Sequence, residues 1–96
     1  MNIRYYFQNL NDDCKNGAEK YFSQKKISQI EKLLNPKDKS ISQLTIRVEY
    51  FKKHNAFSVK IELAYGKEVL LGQEQSHDIV KALDIATKRL ISQLKK

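Results

Sequence analysis

Residues 76–96 read SHDIVKALDIATKRLISQLKK, and the spacing of this segment separates an apolar stripe from a basic face along one helix. At about 100° per residue, one side of that helix collects Ile79, Leu83, Ala86, Leu90 and Leu94. The opposite side collects Lys81, Lys88, Arg89, Lys95 and Lys96. The stripe is suited to a protein core, and the basic face is suited to an anionic partner.

Strand patterns upstream supply a sheet for this helix to cover. Residues 2–7 alternate as a short strand, and residues 41–51 and 57–65 alternate as two longer strands with one wet face. Residues 68–74 complete a meander after the tight turn at Gly66-Lys67, and Lys52 to Asn55 form the preceding hairpin loop. Three consecutive antiparallel strands are therefore expected.

A first helix is predicted over residues 12–34, because acidic residues occupy its first turn and Asn35-Pro36 follows its end. Its apolar stripe takes a step of five residues, from Phe22 to Ile27, where a strict helical period would place Lys26. Either the helix contains a local bulge or its two halves are offset. The stretch from Lys37 to Ser40 is predicted to be a loop.

The resulting fold class is α+β, with the order β-α-β-β-β-α in a single domain that spans residues 1–96. Ser76 is predicted to cap the last helix. A right-handed crossover would place the first strand parallel to the second. Both helices are then expected to pack on one face of a four-stranded sheet.

Composition favours a soluble protein with anionic partners. The chain has 18 basic and 11 acidic residues and a net charge of +7, which suits nucleic acid but is also compatible with solubility alone. Cys14 is the single cysteine, so no internal disulfide can form and a reducing compartment is expected. Since no signal peptide or membrane span is visible, we expect a cytoplasmic location without membrane attachment.

Enzymatic chemistry is not expected. His54 and His77 lack any spacing typical of metal ligands, and three glycines form no phosphate-binding loop. Cys14 lies on an apolar stripe, where a structural thiol is more common than a nucleophile. The sequence therefore predicts no catalytic residue, cofactor, metal or small-molecule substrate.

Basic residues on both helices are the candidate binding site, because rows of cations suit the repeated phosphates of folded RNA. The alternative is a solvated lysine-rich face near the end of a helix. Further cations lie at Lys37, Lys39, Lys52 and Lys53. The residues predicted to bind RNA are Lys25, Lys26, Lys32, Lys81, Lys88, Arg89, Lys95 and Lys96.

Two features of the open sheet face stand apart from the core pattern. Arg47 and Lys60 have Glu49 and Glu62 nearby, so cross-strand ion pairs are predicted there. Most aromatic residues fall at core positions, whereas Tyr6 and Phe51 fall on the other side of their strands and are candidates for base stacking.

The last helix and the residue before it carry a distinctive set of apolar, acidic and basic positions, namely Asp78, Ile79, Ala82, Leu83, Asp84, Arg89, Leu90, Gln93 and Leu94. With the order of elements, the opening Met-Asn-Ile and the Tyr21-Phe22 pair, these positions resemble the family of short ribosome hibernation-promoting factors and the related ribosome-associated inhibitor protein Y. The sequence departs from this family at Val80, where an aromatic residue is usual, and at Lys88, where an acid is frequent. The first helix is also one residue longer near Lys26.

This resemblance implies a non-catalytic stress or stationary-phase factor that occupies the decoding channel of the small ribosomal subunit, contacts ribosomal RNA and inhibits translation. Because the sequence ends at Lys96, the resemblance favours the short type that promotes ribosome pairing over the long type. Two other hypotheses remain open. In the first, the chain is a protein-interaction module with a solubilising basic surface. In the second, it is a general double-stranded RNA-binding domain.

Overall fold

The computed structural model describes residues 1–95 and contains one four-stranded sheet in the order β1-β2-β3-β4. β1 pairs in parallel with β2, whereas β2–β3 and β3–β4 are antiparallel. This topology confirms the predicted mixed sheet and the α+β class. The strands are β1 (Asn2–Gln8), β2 (Gln43–Phe51), β3 (Ala56–Tyr65) and β4 (Glu68–Ser76).

The predicted first helix is divided into α1 (Asp12–Lys25) and α2 (Ile27–Glu31). The division falls at Lys26, whose φ of −112° departs from helical geometry. Phe22 and Ile30 are both buried, and the five-residue step between Phe22 and Ile27 cannot place both segments on one continuous apolar stripe. The predicted helix over residues 12–34 is therefore two offset helices, and the second of them ends at Glu31.

A short helix replaces the predicted loop at Lys37 to Ser40. This helix, α3 (Pro36–Ile41), is capped by Asn35, whose side-chain oxygen accepts a hydrogen bond of 2.8 Å from the backbone N–H of Asp38. Proline is favoured in the first helical turn because its missing N–H has no partner there. Asn35-Pro36 therefore starts a new helix, and the loop prediction is wrong.

The second half of the chain follows the predicted meander closely. A 3₁₀ turn, Lys52–His54, connects β2 to β3 and ends at Asn55 in the left-handed conformation, with φ of 47°. β4 continues to Ser76 before α4 (Ile79–Leu94). The cap of α4 is Asp78 and not Ser76, because an Asp78 carboxylate oxygen accepts a 2.9 Å bond from the N–H of Val80.

The core lies between one face of the sheet and the helices. Alternate residues of β2 and β3 point into it, and the helices contribute Phe22, Ile30, Leu83 and Leu90. α4 approaches β4 very closely at Gly72, where a Cβ atom would lie 2.1 Å from the carbonyl oxygen of Ala86. No helix within residues 1–95 is long and apolar enough to cross a membrane.

Candidate nucleic-acid interface

The outer side of α4 carries an exposed lysine row, Lys81, Lys88 and Lys95. A spacing of seven residues separates successive members by about 10 Å along the helix axis. Within residues 1–95, none of the three forms an ion pair shorter than 4.0 Å. The lysine row therefore presents positive charge to solvent.

An open groove between α2 and α4 extends this basic surface. Its volume is about 530 Å³. Lys32 directly follows α2 and faces Lys88 and Lys95 of α4 across the groove. Exposed Lys25 lies at the end of α1. The residues that line the groove are Gln29, Lys32, Leu33, Lys88, Ile91, Ser92 and Lys95.

Asp84 joins α1 to α4 beneath this surface. The Lys26 ammonium lies 2.8 Å from an Asp84 carboxylate oxygen, and the Tyr21 hydroxyl donates a 2.6 Å hydrogen bond to the same oxygen. Lys26 also lies 5.7 Å from the centroid of the Tyr21 ring. The Lys26 side chain is only 14% exposed, so this cation serves the contact between the two helices.

The same cluster shifts the pKa values of two groups in opposite directions. Burial raises the pKa of Asp84, but hydrogen bonds from Lys26 and Tyr21 and the charges of Lys26 and Lys88 outweigh it, so the pKa lies below the usual 3.8. The hydrogen bond to Asp84, together with burial and nearby negative charge, raises the pKa of Tyr21 to about 12. At neutral pH the cluster therefore contains a carboxylate and a neutral phenol.

Arg89 points away from the groove and contacts the edge of the sheet. Its guanidinium donates a 2.5 Å bond to the carbonyl oxygen of Gln73 and lies 3.2 Å from a carboxylate oxygen of Glu74. Gln93 bonds β4 in the same way, because its side-chain amide accepts from the N–H of Leu71 and donates to the carbonyl oxygen of that residue. Arg89 and Gln93 thereby bond backbone N–H and carbonyl groups on the exposed edge of β4, which could otherwise pair with a strand of another chain.

The predicted RNA-binding residues consequently fall into three groups. Lys26 and Arg89 are bonded within the protein, Lys96 lies outside the described residues, and the other five are exposed. Gln29 and Ser92 were missed because uncharged polar residues on a helix have no distinguishing sequence pattern. The predicted cations that remain exposed and lack an ion pair within residues 1–95 are Lys25, Lys32, Lys81, Lys88 and Lys95.

The ion pairs predicted on the open face of the sheet do not form among the described residues. Arg47 lies directly opposite Lys60, and neither takes part in an ion pair within residues 1–95. Glu49 instead lies opposite Ser58. The expected cross-strand ion pairs are therefore wrong, and Arg47 lies over the exposed ring of Tyr6.

The residues that sequence reasoning considered for metal or thiol chemistry are dispersed. Across residues 1–95, no group of three or more His, Cys, Asp or Glu side chains is placed to hold a metal ion. His77 Nδ1 instead lies 2.6 Å from the carbonyl oxygen of Asn55, and Cys14 is a partly buried free thiol.

Fold and surface together define a small basic α+β protein with its helices on one side of a mixed sheet. The family model described as sigma 54 modulation protein / S30EA ribosomal protein matches residues 15–96. The chain belongs to this ribosome-associated family, as the resemblance of its last helix indicated. No sequence of a curated protein matches significantly.

Solved structures share the fold at low sequence identity. The N-terminal domain of Protein Y from Thermus thermophilus superposes with a TM-score of 0.73 and 20% identity, covering 99% of this chain and 97% of that chain. A ribosomal subunit interface protein from Coxiella burnetii superposes with a TM-score of 0.67 and 17% identity, covering 99% and 94%. These similarities confirm the architecture.

Proposed function

We propose that this protein binds the small ribosomal subunit in the cytoplasm, occupies the decoding channel through contacts with ribosomal RNA and silences idle ribosomes. Its membership in the S30EA ribosomal protein family supports ribosome binding. The fold it shares with a protein described as a ribosomal subunit interface protein is consistent with ribosome binding. No chemical step is required, because occupancy alone excludes messenger and transfer RNA.

One observation carries the proposal. Lys32, Lys88 and Lys95 line the groove between α2 and α4, here called the lysine groove, where each ammonium group can neutralise a phosphate and release its counterion. Folded RNA brings phosphates of separate strands close together, which matches cations supplied by two different helices.

Ribosome pairing is the second part of the proposal. In the family that this sequence resembles, short forms favour the pairing of silenced ribosomes during stress or stationary phase. We expect the same outcome for this protein, with the lysine groove fixing its position on the small subunit. Sedimentation separates pairing from simple binding, because ribosome dimers move faster than monomers.

Cosedimentation with purified small subunits tests the proposal. We expect the protein to move with the subunits at low salt and to lose about a hundredfold in affinity between about 50 mM and about 200 mM salt, as for four or five phosphate contacts. Protein that stays at the top of the gradient at low salt would refute it. Addition to a translation reaction should then reduce peptide synthesis in proportion to occupancy.

The same titration separates the two other functions that the sequence left open. A protein-interaction module would bind its partner with little dependence on salt, because apolar contacts are not screened. A general double-stranded RNA-binding domain would bind a plain RNA duplex as tightly as it binds the ribosomal subunit. Competition by excess duplex therefore decides between general and ribosome-specific recognition.

A further inference from the structure

The open face of the sheet contains an exposed aromatic and basic row, separate from the lysine groove. Tyr6, Arg47 and Lys60 occupy matched positions on three adjacent strands. All three side chains lie on the face opposite the core, and Tyr6 remains 43% exposed. We propose that this row is a second RNA site, which binds a single-stranded segment by stacking a base and holding its phosphate.

The geometry of Tyr6 and Arg47 forms a stacking platform. The guanidinium carbon of Arg47 lies 4.6 Å from the centroid of the Tyr6 ring. This contact restrains the two flexible groups, so less entropy is lost when a base is added. Aromatic rings and guanidinium planes both stack on unpaired bases irrespective of base identity.

Lys60 supplies a site for the phosphate. It lies directly opposite Arg47 in the β2–β3 pair, and like charges in that position destabilise a sheet. Glu49 lies opposite Ser58, and Glu62 lies opposite Thr45. Within residues 1–95, no carboxylate lies within 4.0 Å of Arg47 or Lys60. An anionic ligand would relieve this repulsion, which indicates a functional reason for an arrangement that costs stability.

The surface around the row has room for a nucleotide. An open depression of about 430 Å³ lies over the row, and polar residues of β1, β2 and β3 border it. Tyr6 and Lys60 are two strand spacings apart, which is roughly 10 Å. The exposed side chain of Arg4 lies on the same face of β1, two residues before Tyr6, and can contact a neighbouring phosphate.

The composition of the row favours single-stranded RNA over other occupants. The centre of a contact with a protein partner is usually depleted of charged residues. This depression includes Tyr6, Phe7 and Val48, but three of its eight lining residues, Arg47, Glu49 and Lys60, are charged. Bases within an RNA duplex are stacked on each other and cannot lie on Tyr6. A single strand presents both a free base and a flexible phosphate.

Fluorescence anisotropy of the free protein with a labelled oligouridine RNA tests this inference without ribosomes. We expect Tyr6→Ala and Lys60→Ala each to weaken binding by about tenfold. Tyr6→Phe should bind within about twofold of the unchanged protein, since it keeps the ring. Arg47→Lys should bind more weakly although it keeps the charge, because an ammonium group has no planar face.

Lys67→Ala is the matched control, because it removes one exposed cation from the β3–β4 turn. It should leave oligouridine affinity unchanged, and circular dichroism should be the same for all variants. Equal binding by Tyr6→Ala and the unchanged protein, or no oligouridine binding at low salt, would overturn the inference. So would loss of ribosome binding in Tyr6→Ala with intact oligouridine binding, since another partner would then occupy the row. Cosedimentation tests the lysine groove separately.

Discussion

Two groups of polar residues on α4 act in opposite ways. Asp84, Arg89 and Gln93 all form bonds to other elements. The lysine row, within residues 1–95, forms no ion pair shorter than 4.0 Å. One set of polar groups fixes the helix in place, and the other set is free to meet a partner.

This difference separates fold recognition from ligand recognition within one helix. Asp78, Asp84, Arg89 and Gln93 carry the resemblance to the family, and the structure gives each a bond that caps or anchors α4. Lys88, by contrast, departs from the family pattern and lies in the groove. A family match through α4 therefore reports the architecture, and binding must be tested on other residues.

The largest effect should come from Gly72→Ala on the anchored side. Its Cβ atom would lie 2.1 Å from the carbonyl oxygen of Ala86 and 2.8 Å from the backbone nitrogen of Leu90. Both are backbone atoms, so α4 must move away from β4. We expect the free energy of unfolding to fall by about 3 kcal/mol or more, measured by urea denaturation.

Gly17→Ala is the matched control for this substitution. Its Cβ atom would meet nothing within 4 Å in the exposed part of α1. Since alanine favours helix more than glycine does, this variant should gain about 0.5–1 kcal/mol. Equal stability of Gly72→Ala and the unchanged protein would contradict the close packing of α4 on the sheet.

The outer side is tested by replacing Lys81, Lys88 and Lys95 together with glutamate. Three attractive phosphate contacts become repulsive, so affinity for the small ribosomal subunit at low salt should fall by about a hundredfold or more. The unfolding transition should stay close to that of the unchanged protein, because exposed cations contribute little to stability. Cosedimentation and urea denaturation measure the two quantities.

A charge-matched variant is the control for this triple replacement. Lys52, Lys53 and Lys67 lie in the exposed turns of the sheet, and their replacement by glutamate changes the net charge by the same amount. We expect the matched variant to bind the subunit more tightly than the triple replacement on α4. If both variants lose affinity equally, overall charge and not the groove determines binding.

Asp84→Asn should have a smaller effect, which depends on pH. The pKa of Asp84 is lower in the folded protein than in the unfolded chain, so its stabilising contribution is present at neutral pH and is lost as the pH falls through the folded value. Solvent screens a carboxylate that is 37% exposed, and we expect a loss of about 1 kcal/mol at pH 7. Urea denaturation should show this difference shrinking below about pH 4.

Tyr21 provides an independent measure of the same cluster. Its pKa is raised to about 12, chiefly by the hydrogen bond to Asp84. Ultraviolet titration should therefore show one phenol of the unchanged protein ionising near pH 12, and this phenol should ionise at lower pH in Asp84→Asn. An unchanged titration would show that the hydrogen bond between Tyr21 and Asp84 does not form in solution.

Regular alternation made the sheet and α4 predictable. Inward residues of β2 and β3 such as Ile46, Val48 and Ile61 are buried at the expected period of two. The apolar stripe of α4 is likewise confirmed at Leu83 and Leu90. These signals are local, and burial of one face is enough to enforce them.

The sequence-based predictions are wrong at residues whose role depends on which of several possible partners they bond. Asn35-Pro36 could stop one helix or start the next, and only the observed bond to the N–H of Asp38 distinguishes the two. Lys26 breaks the first helix where its ammonium reaches Asp84 of α4. Arg89 has the helical position of a solvent-facing cation, yet its guanidinium bonds to Glu74 of β4, which lies 15 residues earlier in the chain. Helical spacing alone contains no information on these contacts.

The smallest expected effects come from Lys88 and Arg89, two neighbouring cations of which one lines the groove and the other is bonded to β4. Lys88→Ala removes a cation from the groove, so affinity for the small subunit should fall about threefold to fivefold while stability stays constant. Arg89→Ala removes the bonds to Gln73 and Glu74, so stability should fall by about 0.5 kcal/mol. Its effect on affinity should be smaller than that of Lys88→Ala, because the Arg89 guanidinium is already occupied at the sheet edge. The reverse order of affinities would place Arg89 in the RNA interface and Lys88 outside it.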